Sequence, residues 1–143
     1  MAREDEPVFV SHQIREREPI ELGPVSVVPI HVTHTDLETY GFRITGGDST
    51  LAYSADSAPC EALDELARDA DLFVCEAGAP EGVHSELHLT GRQAGEIANR
   101  AGVRRLMLTH LKPAADRDRV LAAAREAFSG PVELAVEGLS LEL

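Results

Sequence analysis

The sequence lacks several features that would define its class. No apolar run approaches the ~20 residues that cross a bilayer, and the first residues, MAREDEPVF, lack the basic start and apolar stretch of a secretory signal peptide. Cysteine is scarce, since Cys60 and Cys75 are the only two and no metal-type spacing separates them. These absences, in a chain of 143 residues, predict one cytoplasmic domain with reduced thiols.

The chain also has few positively charged residues. The chain has 13 lysines and arginines against 25 aspartates and glutamates, a formal net charge of −12. Proteins that bind nucleic acid usually carry a basic surface that pairs with phosphates. The composition therefore disfavours extended tRNA or DNA as a partner, and no membrane partner is expected.

Segments with strand and helix patterns alternate along the chain. Residues 21–32 predict one or two strands, residues 40–45 and 50–54 a β-hairpin, and residues 58–70 a helix. A helix that Thr90 caps and a helix over residues 116–128 follow, and residues 131–136 and 139–143 predict two terminal strands. This alternation predicts an α/β layered architecture.

Single histidines and one aspartate stand where predicted strands run into loops. His34 follows VSVVPIHVT, Asp56 follows LAYSA, and His110 ends LMLTH, while His88 lies in a loop before a predicted helix. Strand ends place side chains along a shared rim, and imidazoles with a carboxylate are ligands that zinc accepts. The pattern predicts part of a metal site.

The order and flanking residues of these positions resemble the C-terminal half of the metallo-β-lactamase-fold hydrolases, in particular the tRNase Z-like branch. In that family a histidine precedes a Gly-aromatic-Arg-Ile strand, as His34 precedes YGFRI. An aspartate follows a Tyr-Ser strand end, as Asp56 follows LAYSA, although the family usually has glycine where Ala55 stands. A histidine ends a Leu-x-Leu-Thr-His strand, as His110 does, and the segments CEA and HLT match two further motifs.

This resemblance implies a metal-dependent hydrolase and a role for each residue. His34 would bind the first metal, Asp56 would bridge two metals, and His110 would bind the second. His88, oriented by Glu76, would donate a proton to the leaving group. The complete family site holds two zinc ions ~3.5–4 Å apart. With three ligands from this chain, at most one zinc ion is expected here.

One family motif is missing, because the string His-x-His-x-Asp-His does not occur in the sequence. We therefore expect residues 1–143 to form a single, partial domain, either a truncated product or a chain whose start was assigned too late. The expected fold is the second half of an αββα sandwich, a mixed sheet with helices on one face. The expected partners are a small ester or phosphodiester substrate and either a second copy, giving a homodimer, or the missing N-terminal half.

Other interpretations remain open. Isolated strand-end histidines are often only solvated, a loop histidine such as His88 often only precedes a helix cap, and Glu76 could take backbone or arginine partners. His12, His31 and His84 are interpreted as structural. The alternative function is a non-catalytic remnant that folds by pairing with another chain, because half a sandwich would expose an apolar sheet face.

Overall fold

The structure, a computed structural model, describes residues 11–143. Its strands form one seven-stranded sheet whose spatial order follows the chain. The strands are β1 (Ile20–Leu22), β2 (Val25–Val32), β3 (Thr39–Gly46), β4 (Ser49–Tyr53), β5 (Leu72–Glu76), β6 (Leu106–Thr109) and β7 (Val132–Leu134). The helices are α1 (Ala62–Ala67), α2 (Gly91–Arg100) and α3 (Arg117–Ala127).

The sheet changes from antiparallel to parallel at β4. Strands β1 to β4 pair antiparallel; two-residue turns join β1 to β2 and β3 to β4, and a six-residue loop joins β2 to β3. Gly47 closes the β3–β4 turn at φ 59, which glycine adopts without steric cost. Strands β4 to β7 pair in parallel, and a helix lies in each connection between them. The β5 sequence LFVC is continuously apolar, as is typical of strands in a parallel sheet. The predicted hairpin and the predicted mixed sheet are confirmed.

The three helices pack on one face of the sheet. Their buried side chains share a single core with strand residues, including Leu66, Ile97 and Val120 from the helices and Ala52 and Phe73 from the strands. The close approach of α2 to α3 depends on small residues. A β-carbon on Gly95 would lie 2.6 Å from the Ala124 carbonyl oxygen. The expected layer arrangement, with helices on one face, is confirmed.

The opposite face of the sheet carries a row of apolar side chains. Phe42 pairs with Tyr53, Tyr53 with Val74, and Val74 with Met107, so these four side chains share one face and are called the open row here. The neighbouring residue Ala52 belongs to the helix-packed core, which places the open row on the other side. Tyr53 is 38% exposed, Phe42 and Val74 are partly buried, and Met107 is buried at 6% exposure.

The predicted helix over residues 58–70 is shorter than expected. The regular helix begins at Ala62, because the Ala58 N–H donates to the Thr33 carbonyl oxygen at 2.6 Å and ties the preceding segment to the loop after β2. It ends at Ala67, and Asp69 at φ 53 turns the chain into β5. Tertiary contacts override the helical periodicity at both ends.

The predicted strand over residues 139–143 is wrong. The Ala135 N–H donates to the Leu108 carbonyl oxygen, and past that point no residue up to 143 pairs with a strand. Gly138 at φ 78 makes a turn, and Leu139 beyond it is 43% exposed. The alternating pattern of LSLEL therefore has no neighbouring strand on which to pack.

The thiols of Cys60 and Cys75 are unpaired, as predicted. Burial, with the nearby Glu76 charge, raises the pKa of the Cys75 thiol well above its usual value. Throughout residues 11–143, no helix has the length and apolarity needed to cross a bilayer.

Candidate active site at the carboxyl edge of the sheet

The sheet topology brings the predicted site residues to one edge. Strands β2, β4, β5 and β6 run in the same direction, so their carboxyl ends meet at that edge. His34 follows β2, Asp56 follows β4, Glu76 ends β5 and His110 follows β6. Parallel strands thus place side chains from distant parts of the sequence side by side.

Three histidines form a row at this edge. The ring centroids of His34 and His88 are 5.2 Å apart, and those of His88 and His110 are 5.1 Å apart. The name histidine row denotes these three residues below. Asp56 lies beside one end of the row, with its Oδ1 atom 3.5 Å from Nδ1 of His110. The structure therefore brings together all four residues that follow the strand ends or precede α2.

Glu76 lies beneath the row and is almost fully buried, at 1% exposure. Its Oε1 atom is 2.9 Å from Nδ1 of His88 and accepts a hydrogen bond from the Ser57 N–H at 3.0 Å. Its Oε2 atom accepts from the Gly78 N–H at 2.7 Å. A single carboxylate thus connects the Asp56 loop, the loop after β5 and the His88 ring.

Short-range contacts fix the loop that carries Asp56. The Ser54 hydroxyl donates to the Ala55 carbonyl oxygen at 2.7 Å and accepts from the Glu76 N–H at 2.9 Å. Ala55 adopts φ 53, a left-handed conformation that is rare for residues other than glycine. The chain turns sharply there, and the turn places Asp56 at the rim.

The loop that carries His88 is also anchored to its neighbours. The Ser85 hydroxyl oxygen accepts from the His88 N–H at 3.0 Å, which closes a local turn. The Leu87 carbonyl oxygen lies 2.9 Å from Nδ1 of His34. Because a carbonyl only accepts, that contact places the proton of neutral His34 on Nδ1 and leaves Nε2 as an acceptor.

The types of donor at the edge fit zinc, but the described residues do not form a closed site. A histidine whose second nitrogen bonds a carbonyl or carboxylate is the usual arrangement of a metal ligand, and His34 shows it. Within residues 11–143, however, no three His, Cys, Asp or Glu side chains are placed to hold one ion together. The assignment of His34, Asp56 and His110 as ligands stays a prediction.

Two residues of this site have no prominent signal in the sequence. Gly78 packs against the row so closely that a β-carbon there would lie 2.9 Å from Cδ2 of His110 and 3.3 Å from Cγ of His88. Ser57 contributes its backbone N–H to Glu76. The only sequence signal for either is its place one or two residues after a predicted site residue.

The remaining histidines lie outside these contacts. His12, His31 and His84 are exposed. The ring of His31 packs edge-on against Tyr40, with 5.7 Å between ring centroids. This position agrees with the structural interpretation of His31.

Comparison with known proteins gives consistent matches. The family model of the beta-lactamase superfamily domain matches residues 1–111. The uncharacterized protein Rv1339 of Mycobacterium tuberculosis is 42% identical over 135 residues, which are 90% of this chain and 48% of that protein. Ribonuclease Z of Myxococcus xanthus is 43% identical over 99 residues, which are 65% of this chain and 32% of that protein.

A solved structure agrees with the fold described above. The crystal structure of the metallo-beta-lactamase fold protein YhfI from Bacillus subtilis superposes with a TM-score of 0.83 at 30% identity, and the match covers 88% of this chain and 53% of YhfI. The chain spans about half the length of the curated relatives that it matches over most of its own length.

Proposed function

The chain belongs to the beta-lactamase superfamily, and from that premise we propose that it supplies the carboxyl-edge residues of a metal-dependent hydrolase. The proposed substrate is a small ester or phosphodiester. The observation that carries this proposal is the convergence of the histidine row and Asp56 above the buried Glu76. Five separate positions in the sequence meet there, and their side chains match the donor and acid types that such hydrolysis needs.

We propose that His34, Asp56 and His110 hold zinc, with further donors from outside the described residues. Zinc supplies a water of lowered pKa and polarises the scissile bond when it is bound. The Leu87 carbonyl at Nδ1 of His34 leaves Nε2 for coordination. A complete site would hold two ions, and this chain alone would hold at most one.

His88 and Glu76 are proposed to protonate the leaving group. The buried Glu76 carboxylate holds the His88 ring through Nδ1 and balances the charge of an imidazolium. The other ring nitrogen, Nε2, is then the atom that donates a proton to the departing oxygen. His88 retains partial solvent contact, with 19% of its side chain exposed, so it can be reprotonated between turnovers.

Charge supports a small substrate over an extended nucleic acid. Ribonuclease Z, a relative, is named for action on RNA, and phosphodiester chemistry at the same edge would suit this chain. A formal net charge of −12, however, repels a long phosphate backbone. A phosphodiesterase-like reaction on a compact substrate fits both observations.

The open row supports a second candidate, a non-catalytic chain that folds by pairing. Phe42, Tyr53 and Val74 lie on the sheet face that no helix of residues 11–143 covers. Apolar patches of this kind mark interfaces. The partner would be a second copy of the chain or the missing N-terminal half. In this second candidate function, the histidine row does not bind a metal.

Metal content tests the first candidate against the second. The chain is purified without chelators, and its zinc is measured by elemental mass spectrometry beside Asp56→Ala and the control Asp48→Ala, which alters an exposed turn carboxylate. We expect near-stoichiometric zinc that is lost only in Asp56→Ala. Absence of zinc from the unaltered chain would favour the pairing candidate.

Activity is tested with the N-terminal half present. The substrate is bis(4-nitrophenyl) phosphate, and His110→Ala is expected to abolish its zinc-dependent hydrolysis. Unchanged turnover in that variant would refute the assignment of His110.

A further inference from the structure

A cavity of about 230 Å³ lies beside the histidine row. Its walls come from the loop after β5, from the segment that joins β6 to α3, and from the first turn of α3. Small apolar residues line most of it, among them Ala77, Ala79, Pro80, Ala115 and Val120. The site described above uses none of these five side chains.

Gly78 lies between the cavity and the histidine row. It lines the cavity, and it also packs against the rings of His88 and His110. A side chain at position 78 would meet Cδ2 of His110 at 2.9 Å. Because position 78 has no side chain, only the backbone of Gly78 separates the cavity from these two rings at this point.

Lys112 and Arg119 both bring positive charge to the cavity, and the Arg119 guanidinium also donates to the Glu81 carbonyl oxygen at 3.3 Å. Lys112 is the only lysine in the sequence and lies two residues after His110. Two carboxylates also line the cavity, but Glu81 accepts the Gly91 N–H at 2.6 Å and Asp116 accepts the Arg119 N–H at 3.1 Å, so both are engaged at helix N-termini. Lys112 forms no ion pair with any residue between 11 and 143.

The size and lining indicate the kind of group that fits. A cavity of roughly 150 Å³ with apolar walls holds a benzene ring. A volume of 230 Å³ therefore admits a substituted or fused ring, while it is smaller than the roughly 300–1,000 Å³ of a site for a whole drug-sized ligand. A cavity of this size suits one part of a larger ligand.

We propose that this cavity is the subsite for an aryl or similarly compact apolar group of an anionic substrate, whose charge pairs with Lys112. The proposal rests on the proposed function, because it places the charged, reacting part of that substrate beside the histidine row. It narrows the substrate class to phosphoesters with a ring-sized apolar substituent.

The test compares two non-hydrolysable probes that differ only in the ring. Phenylphosphonate and methylphosphonate are titrated calorimetrically into the full chain, with a chelator present so that neither metal nor turnover contributes. We expect phenylphosphonate to bind at least about tenfold more tightly than methylphosphonate, because the cavity buries the apolar surface of the phenyl ring. Equal affinities, or no binding of either probe, would overturn the proposal.

Two variants locate the binding. Ala115→Leu fills the cavity and is expected to remove the preference for the phenyl group, whereas Ala122→Leu, on the exposed side of α3, keeps it. Lys112→Gln is expected to lower the affinity for phenylphosphonate at least about fivefold. The affinity for the neutral probe benzyl alcohol should not change. A preference that persists in Ala115→Leu, or an affinity for phenylphosphonate that persists in Lys112→Gln, would contradict the assignment.

The single lysine also allows a test on the unaltered chain. Phenylphosphonate should slow acetylation of Lys112 by an amine-reactive ester, as followed by peptide mass spectrometry, while acetylation of the N-terminal amine serves as the internal reference. Unprotected Lys112 at saturating probe would overturn the proposal without reference to the folding of any variant.

The two proposals fail separately. Probe binding in chelator together with no zinc and no hydrolysis would retain the subsite and reject the hydrolase. The activity assay with the N-terminal half present gives the converse case. Equal kcat/KM values for a methyl and a phenyl phosphodiester with the same leaving group would retain the hydrolase and reject the subsite.

Discussion

Oε1 of Glu76 lies 2.9 Å from Nδ1 of His88, and the carboxylate that makes this contact is 1% exposed. The same carboxylate accepts the N–H groups of Ser57 and Gly78, so His88 shares its partner with two backbone segments. Desolvating a carboxylate is costly unless its oxygens are bonded. These three contacts offset the desolvation cost of burying the Glu76 carboxylate. They also link the position of His88 to the loops that contain Ser57 and Gly78.

Glu76→Gln should destabilise the chain. The amide NH2 group would face the N–H donor of Ser57 or Gly78, which leaves a buried donor without an acceptor. We expect the free energy of unfolding in urea to fall by about 1–3 kcal/mol. The control is Glu86→Gln, an exposed position where the change should stay within about 0.5 kcal/mol. Equal stability of the two variants would show that Glu76 does not organise these loops.

Gly78→Ala should displace the histidine row without a change of charge. The added methyl would lie 2.9 Å from Cδ2 of His110, so the His110 ring or its loop must move. We expect the imidazole resonances of His88 and His110 to shift in proton–nitrogen NMR spectra. In Gly46→Ala the new β-carbon meets nothing closer than 3.5 Å, and those resonances should stay in place. Unshifted resonances in Gly78→Ala would refute the tight packing.

The two thiols should differ sharply in reactivity. Cys75 is buried and the pKa of its thiol is raised, so little thiolate forms near neutral pH, whereas Cys60 is partly exposed. A thiol reagent should therefore modify one cysteine in the native chain and two after unfolding in urea. Cys60→Ser should leave the native chain unreactive. Rapid modification of Cys75 in folded Cys60→Ser would contradict the buried position.

Much of the fold could be predicted from local patterns. The β3–β4 hairpin follows from alternating residues around a glycine turn, and α2 begins where Thr90 accepts the Gln93 N–H in a capping box. The convergence of His34, Asp56 and His110 could also be anticipated, because each follows a strand and those strands run in one direction.

Other features depend on tertiary contacts that no local pattern encodes. The segment before α1 has helical spacing, yet the Ala58 N–H donates to the Thr33 carbonyl oxygen and the regular helix begins only at Ala62. The terminal LSLEL alternates like a strand but finds no neighbour after Gly138. In the site, Gly78 and Ser57 act through backbone groups, and side-chain chemistry in the sequence does not reveal such roles.

Ala55→Gly should stabilise the chain, although most alanine-to-glycine changes do the reverse. Ala55 adopts φ 53 beside Asp56, and a left-handed conformation costs an L-residue about 1–2 kcal/mol that glycine does not bear. Glycine also has more conformational freedom in the unfolded chain, which reduces this gain by roughly 0.4–1 kcal/mol.

We expect a net rise of about 0–1.6 kcal/mol in the free energy of unfolding in urea for Ala55→Gly. The matched control is Ala123→Gly in the middle of α3, where glycine should cost about 1 kcal/mol. The two substitutions remove the same methyl group, so opposite signs would isolate backbone conformation as the cause. A loss in Ala55→Gly as large as in Ala123→Gly would show that the turn before Asp56 is not strained in this way.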